Sequence, residues 1–214
     1  MIIYTCITNN KDKELPSIPI VKGCKYIYFS DKDYKNKDWE HRPLWYEHVD
    51  PRRVARWHKV NSHLLFPVEE FVLWVDGNII MDKNPLEFKD LLESTGLFIL
   101  TMKHPVRNCL YDEFRAVHNY RLDDYEVLRK QENKYLKEGM PKNEGLPETC
   151  VFLRKHNKKC EEFNESWWNE IKSHSKRDQL SITYVLWKMK EDWLGLPRST
   201  IKKRRHSLPT TKST

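Results

Sequence analysis

Apolar residues come in short blocks along this chain, and the spacing between blocks changes from strand-like to helix-like and back. The runs at 2–8, 26–29, 71–75, 96–101 and 148–154 are rich in β-branched, aromatic and other apolar side chains and predict buried strands. Between them, 51–66, 86–93, 112–136, 159–173 and 179–190 carry apolar residues at helical spacing. Residues 33–51, rich in Trp, Tyr, His and Pro, predict an irregular excursion. Strands alternating with helices imply an α/β fold, a mostly parallel central sheet flanked by helices. In such a sheet, ligands sit beyond the carboxyl ends of the strands. That rule gathers Thr5, Asp31, Asp76, Asn78 and Glu148 at one edge.

The most informative block is 71–81. Phe71 to Val75 is unbroken apolar chain, interrupted at Asp76-Gly77-Asn78 and resumed at Ile79-Ile80-Met81. Two oxygen-bearing side chains, one residue apart at the end of a buried strand, are a way to hold a hard divalent cation. The same three residues also read as a hairpin turn, although the flanks lack the polar–apolar alternation of a hairpin. In the preceding helix, Arg56, Lys59 and His63 recur at i, i+3 and i+7. Such a face is either simply solvated or turned toward phosphate. The loop at 104–111 brings together His104, Arg107 and Tyr111. Ser175 to Asp178 predicts a helix start, where Asp178 is either a cap or a ligand-facing carboxylate.

With 214 residues the chain fits one domain, 1–198, followed by a basic tail or linker at 199–214 that could close over the site or lead to further domains. The five cysteines are odd in number and form no C-x-x-C pair, which argues against zinc and a disulfide framework and makes a reducing cytosol the default. The net charge of +7 is concentrated at Lys202 to Arg205, so no nucleic-acid partner is required. No run has membrane length. The absence of G-x-G-x-x-G, G-x-x-x-x-G-K-[ST] and G-x-S-x-G patterns argues against a dinucleotide fold, a P-loop and an α/β-hydrolase.

An ordered set of motifs spans nearly the whole domain: Ala55-Arg56…Lys59…His63, Trp74-Val-Asp-Gly-Asn78, His104-Pro-x-Arg107-x-Cys-x-Tyr111-x-Glu113, Gly145-Leu-Pro-Glu148 and Arg177-Asp-Gln-Leu-Ser181. It resembles the glycosyltransferase-like domain family, once catalogued as a domain of unknown function, of plant wall- and mucilage-related proteins and bacteria. Length and basic tail are also similar to the N-terminal domains of large viral glycosyltransferases, for which the compartment would be a host cytoplasm. The resemblance implies a GT-A-like single domain, a nucleotide-sugar donor and a divalent metal, Mn2+ or Mg2+, at a DxD-type motif. That motif falls on Asp76 and Asn78, where the amide at the third position is a departure and a weaker ligand. A broader likeness to retaining transferases points to a late histidine in H-x-x-G-x-x-K as third metal ligand. His206 to Lys212 has that spacing, with Pro209 where the glycine belongs. The same transferases carry an Asp-Gln pair at a helix start, matched here by Asp178-Gln179.

On this reading a UDP-sugar would be held by Thr5 and Asp31 at uracil and ribose, and by Arg56, Lys59 and Asp76 at the diphosphate. Asp178 would accept hydrogen bonds from sugar hydroxyls. Gln179, Glu148, His104 and Arg107 would line the sugar and the glycan acceptor. Retention needs no strong base, because the departing phosphate can take the acceptor's proton; inversion would make Glu148 the first suspect as general base. The rival readings are a metal-dependent phosphoesterase, which would need more clustered carboxylates, and a non-catalytic nucleotide-sugar or carbohydrate-binding module.

Overall fold

Strands form where branched and aromatic side chains cluster, and those apolar on both sides are covered on both sides. The computed structural model describes residues 1–9 and 11–204. In chain order its strands are β1 (Ile2–Ile7), β2 (Lys25–Ser30), β3 (Glu40–Arg42), β4 (Phe71–Val75), β5 (Ile79–Ile80), β6 (Ile99–Lys103), β7 (Pro147–Lys155), β8 (Leu194–Leu196) and β9 (Lys202–Lys203). Its helices are α1 (Pro51–Val60), α2 (Ser62–Leu65), α3 (Pro85–Thr95), α4 (Leu110–Asn119), α5 (Tyr125–Lys137), α6 (Lys158–Ser173) and α7 (Gln179–Met189).

The central sheet has the order β3-β2-β1-β4-β7-β6-β8. β1 is parallel to β2 and β4, β2 to β3, and β6 to β8, whereas β7 runs antiparallel to both β4 and β6. The sheet is therefore mostly parallel, with β7 reversed in its middle. Alternate side chains divide the core between its faces. Tyr4, Trp74 and Phe152 pack with Val60, Phe163, Trp167 and Leu180 on one face. Ile3, Leu73 and Val151 pack with Phe88, Leu92 and Ile201 on the other.

The structure departs from the sequence pattern in specific places. The helix expected over 112–136 is two, α4 and α5. Arg121 takes a positive φ of 51° between them, and Asp124 restarts the chain as an N-cap, its side chain accepting from Val127 N at 3.0 Å. The helix expected over 51–66 breaks at Asn61, whose ψ of 42° is not helical. The excursion at 33–51 contains the short edge strand β3. Asp76 to Asn78 is not a hairpin turn, because β5 does not return to β4 but pairs antiparallel with β9. Residues 199–204, read from sequence as part of a tail, lie against the domain: a 3-10 turn at Arg198–Thr200 leads to the buried Ile201 and then β9.

One buried charge fixes the helix that matters most for the site. Arg154 on β7 is fully buried, and its guanidinium donates to Lys59 O (2.6 Å), Val60 O (2.7 Å), Asn164 Oδ1 (2.7 Å) and Tyr4 Oη (2.8 Å). Two of these acceptors are carbonyls at the C-terminal end of α1, where a cation complements the helix dipole. Replacing Arg154 with Met strands buried acceptors at about 1–3 kcal/mol each. Urea unfolding of Arg154→Met is expected to show a loss of about 3 kcal/mol or more; a loss below about 1 kcal/mol would mean that α1 is held by apolar packing alone.

Candidate active site

β1 and β4 end at the same edge of the sheet. Because β7 runs the other way, its amino end lies there too, which is why Glu148 and Thr149 reach this edge from the start of a strand. A cavity of about 220 Å³ opens between them. That is room for about seven waters or one compact polar group, at about 30 Å³ per water. Seven sequence candidates line it: Arg56, Lys59, Asp76, Asn78, Glu148, Asp178 and Gln179.

α1 delivers the cations. Asp50 caps it, accepting from Arg52 N at 2.8 Å, and Pro51 takes the first helical position, where a missing N–H costs nothing. Three residues apart, Arg56 and Lys59 share one face, and that face is not solvated: Lys59 is 1% exposed. Its ammonium donates to Asp178 Oδ2 at 2.6 Å and Thr149 Oγ1 at 2.8 Å, 3.7 Å from Asp76 Oδ1 and 5.6 Å from the centre of the Trp74 ring. Arg56 Nε lies 2.8 Å from Asp178 Oδ1.

Asp178 occupies the N-cap position of α7 but has helical dihedrals and makes no capping bond with its side chain. The carboxylate faces the cavity instead, where Thr149 Oγ1 donates to it at 2.7 Å. Burial alone would raise its pKa. The opposing charges of Arg56 and Lys59, with the bonds from Lys59 and Thr149, outweigh burial and hold it well below the usual carboxylate range. Next to it, Gln179 has its amide Nε2 buried without a hydrogen-bond partner among the described residues.

Asp76 is anchored by its backbone N–H, which donates to Cys150 O at 2.8 Å, and by Trp74 Nε1, which donates to its Oδ1 at 2.7 Å. Gly77 is needed for close approach and not for an unusual turn: its φ is not positive, but a Cβ there would stand 2.8 Å from Asp12 Oδ2 and 3.1 Å from Ile7 Cδ1. Glu148 is engaged at both oxygens, by Lys203 Nζ at 2.5 Å and Arg198 Nε at 2.7 Å. Between Asp76 and Glu148, burial and these two carboxylates push the Cys150 thiol up to about 12, so it stays protonated.

The remaining sequence candidates lie elsewhere. Thr5 is fully buried within β1, its Oγ1 without a hydrogen-bond partner among the described residues. Asp31 lines a second, more open cavity of about 730 Å³ with Leu44, Tyr46, Pro51 and Val54, and Thr8 borders both cavities. His104 and Arg107 form their own cluster on the loop after β6. There Arg107 Nε donates to Glu113 Oε2 at 2.7 Å, while burial and the Arg107 charge lower the pKa of His104. His206 lies outside the described residues. Sequence reasoning gave no site role to Lys11, Asp12, Thr149, Arg177 and Lys203, all of which line the central cavity. Extending the strand-end rule a few residues past β1 would have found Lys11 and Asp12; Lys203 was hidden in a basic run that reads as a tail.

Asp76 and Asn78 supply one carboxylate and one amide oxygen to the cavity. Among the described residues no group of three His, Cys, Asp or Glu side chains could hold a metal. This donor set suits a magnesium-like ion that takes one or two protein oxygens and completes its shell with substrate phosphate and water, and not a cage made wholly of protein.

Residues 43–199 match the family described as TOD1/MUCI70, glycosyltransferase-like domain. Among curated relatives, alkaline ceramidase TOD1 of Arabidopsis thaliana is 24% identical over 86% of this chain and 48% of its own length. Probable hexosyltransferase MUCI70 of the same plant is 28% identical over 64% of this chain and 25% of its own. The chain thus spans about half of the one and a quarter of the other. Among solved structures, mouse xyloside xylosyltransferase 1 in its apo form superposes with a TM-score of 0.50 at 10% identity, over 91% of this chain and 83% of its own, a likeness of fold. A glycosyltransferase involved in glycosylation of the major capsid of PBCV-1 gives a TM-score of 0.43 at 13% identity, over 75% and 66%.

The ion cluster generates a test that needs no substrate. Asp178→Asn leaves Arg56 and Lys59 facing a neutral amide, and breaking a buried ion pair costs about 3–5 kcal/mol. A depressed pKa means that the stabilisation by Asp178 is present above its unfolded value of about 3.9 and is lost as pH falls through the folded value. The stability gap between wild type and Asp178→Asn is therefore expected to be constant from about pH 5 to pH 8. Pyrophosphate, which can replace the lost negative charge, should raise the melting temperature of the variant more than that of the wild type. Equal shifts would show that the two cations are not available to an anion.

Proposed function

Because the chain belongs to the TOD1/MUCI70 glycosyltransferase-like domain family, we propose that it transfers a glycosyl group from a nucleoside-diphosphate sugar, with UDP as the nucleotide, to a hydroxyl of a glycan acceptor. The observation that carries this reading is the central cavity, where Lys11, Arg56, Lys59, Arg177 and Lys203 meet the carboxylates of Asp12, Asp76, Glu148 and Asp178. A departing diphosphate gathers negative charge, and preorganised cations at that point stabilise it electrostatically. Sugar hydroxyls need short acceptors and donors, which Asp178 and the unpartnered amide of Gln179 supply.

The nucleoside fits the adjoining open cavity. Tyr46, Leu44, Pro51 and Val54 offer the base an apolar and aromatic wall, and Asp31 a carboxylate for the ribose. Thr8, which borders both cavities, takes the place given to Thr5 by sequence. Asp76 and Asn78 would hold a manganese or magnesium ion jointly with the diphosphate, with His206 as the further candidate ligand. When bound, the ion adds positive charge against the leaving group.

Arg198 Nε lies 2.7 Å from Glu148 Oε2 whether or not Lys203 stays, and a carboxylate paired with a guanidinium is a weak base, which favours retention over inversion with Glu148 as base. In the retaining course the bond from anomeric carbon to phosphate oxygen breaks and the bond to the acceptor oxygen forms on the same face. The acceptor's proton passes to the departing phosphate oxygen. Ceramide cleavage, suggested by one relative's name, suits this cavity less well: a ceramide has a neutral amide between long alkyl chains, and these walls are lined with charge.

A thermal-shift series tests the proposal. UDP with manganese should stabilise the protein, at about 2.7 kcal/mol for ligand at a hundredfold its Kd. Asp76→Ala should remove the manganese-dependent part, and Arg56→Ala should weaken UDP far more than uridine. Stabilisation by ceramide or by glycans alone, with none by UDP and manganese, would overturn it.

A further inference from the structure

The family match ends at residue 199, yet the cavity has a wall beyond it. After the 3-10 turn, Ile201 is buried in the core on the α3 face of the sheet. β9 then pairs with β5, the strand that directly follows Asp76-Gly77-Asn78, with Lys203 opposite Ile79. Arg204 completes the attachment: its N–H donates to Asn78 O and its Nη1 to Leu15 O, both at 2.8 Å. Backbone pairing, one apolar anchor and Arg204 hold this segment against the domain, and the ammonium of Lys203 takes no part in those contacts.

What the ammonium does instead is reach the cavity and rest on Glu148 Oε1. The two partners differ in freedom: the Lys203 side chain is 39% exposed and that of Glu148 is 13% exposed. Arg198 Nε lies 2.7 Å from the other oxygen of Glu148, so Glu148 keeps one cation if Lys203 leaves. Burial disfavours the charge on Lys203, but the carboxylates of Glu148 and Asp76 oppose it and its pKa is raised, so it is a full cation at neutral pH. A cation more exposed than the carboxylate it rests on, in a cavity lined with further cations, is placed to change partners.

We propose that Lys203 is a diphosphate-binding residue delivered by the C-terminal strand β9 and stored on Glu148 while the site is empty. This rests on the reading of the cavity as a nucleotide-sugar site and adds to it a residue outside the family-matched region. When a diphosphate enters, the Lys203 ammonium exchanges a carboxylate oxygen for a phosphate oxygen. Glu148 keeps Arg198 and gains a free oxygen facing the sugar and acceptor side. Donor binding and the unmasking of Glu148 are then one event.

The exchange has a signature that a merely structural ion pair lacks. If Lys203 must leave Glu148 to bind phosphate, neutralising Glu148 makes binding easier. Calorimetric titration of UDP and of pyrophosphate, with manganese at one fixed concentration, should give Glu148→Gln about threefold to tenfold tighter binding than wild type, the scale of a released, partly buried ion pair. Lys203→Met should bind about tenfold more weakly, Lys203→Arg close to wild type, and Glu148→Gln combined with Lys203→Met no better than Lys203→Met alone. Urea unfolding of each variant separates binding from folding. Wild-type binding of UDP with unchanged or weaker binding in a folded Glu148→Gln overturns the exchange and leaves the nucleotide site standing. Failure of the wild type to bind either UDP or pyrophosphate overturns both.

Discussion

The carboxylate of Asp178, lodged between Arg56 and Lys59, is the constraint on which the site depends. It lies 4% exposed at the start of α7, yet it contacts two side chains of α1 and the Thr149 hydroxyl of β7. Taking three charges out of water is expensive, and their mutual attraction repays this only if the geometry is good and the remaining donors are satisfied. Here each piece is held from behind. Arg154 grips the carbonyls that end α1, and Trp167 Nε1 donates to the backbone carbonyl of Asp178 at 3.0 Å. Core packing and site electrostatics are thus continuous, linked through Lys59, whose carbonyl accepts from Arg154 and whose ammonium donates to Asp178.

The same logic appears twice in one cavity. Asp178 carries Arg56 and Lys59; Glu148 carries Arg198 and Lys203. Each carboxylate holds two cations, and in each pair one cation is more firmly placed than the other. An empty anion site lined only by lysines and arginines would repel itself and strain the fold. Storing the cations on internal carboxylates keeps the apo protein stable and leaves positive charge available to a ligand that binds it better. Asp76 takes no full share in either pair: its Oδ1 stands 3.7 Å from Lys59 Nζ and accepts from the indole of Trp74, which among the described residues leaves Asp76 Oδ2 for another partner.

Much of this was legible in the sequence. The β4 run and its Asp-Gly-Asn end identified the strand edge. The i, i+3 spacing of Arg56 and Lys59 put both on one face, although the spacing could not say that Lys59 would be buried. That depends on Asp178, more than a hundred residues away in the chain. Glu148 was placed at the correct edge by a rule that assumes parallel strands; it is there because β7 is reversed, and strand direction leaves no trace in local composition. Thr5 shows the limit of the same rule. Strand ends blur by a residue or two, and in β1 the shift moves the cavity from Thr5 to Cys6, Ile7 and Thr8. Lys203 was invisible for another reason: a basic run near the end of a chain has the composition of a solvated tail, and only the pairing of β9 with β5 makes it a wall.

A crystal structure of the protein with UDP and manganese bound tests the central claim most directly. The account predicts the diphosphate within hydrogen-bond distance of Arg56 and Lys59, with the base against Tyr46 in the adjoining cavity. UDP lodged elsewhere, for instance in the surface cavity between Trp187 and Trp193, with both cations still fully engaged by Asp178, would contradict it.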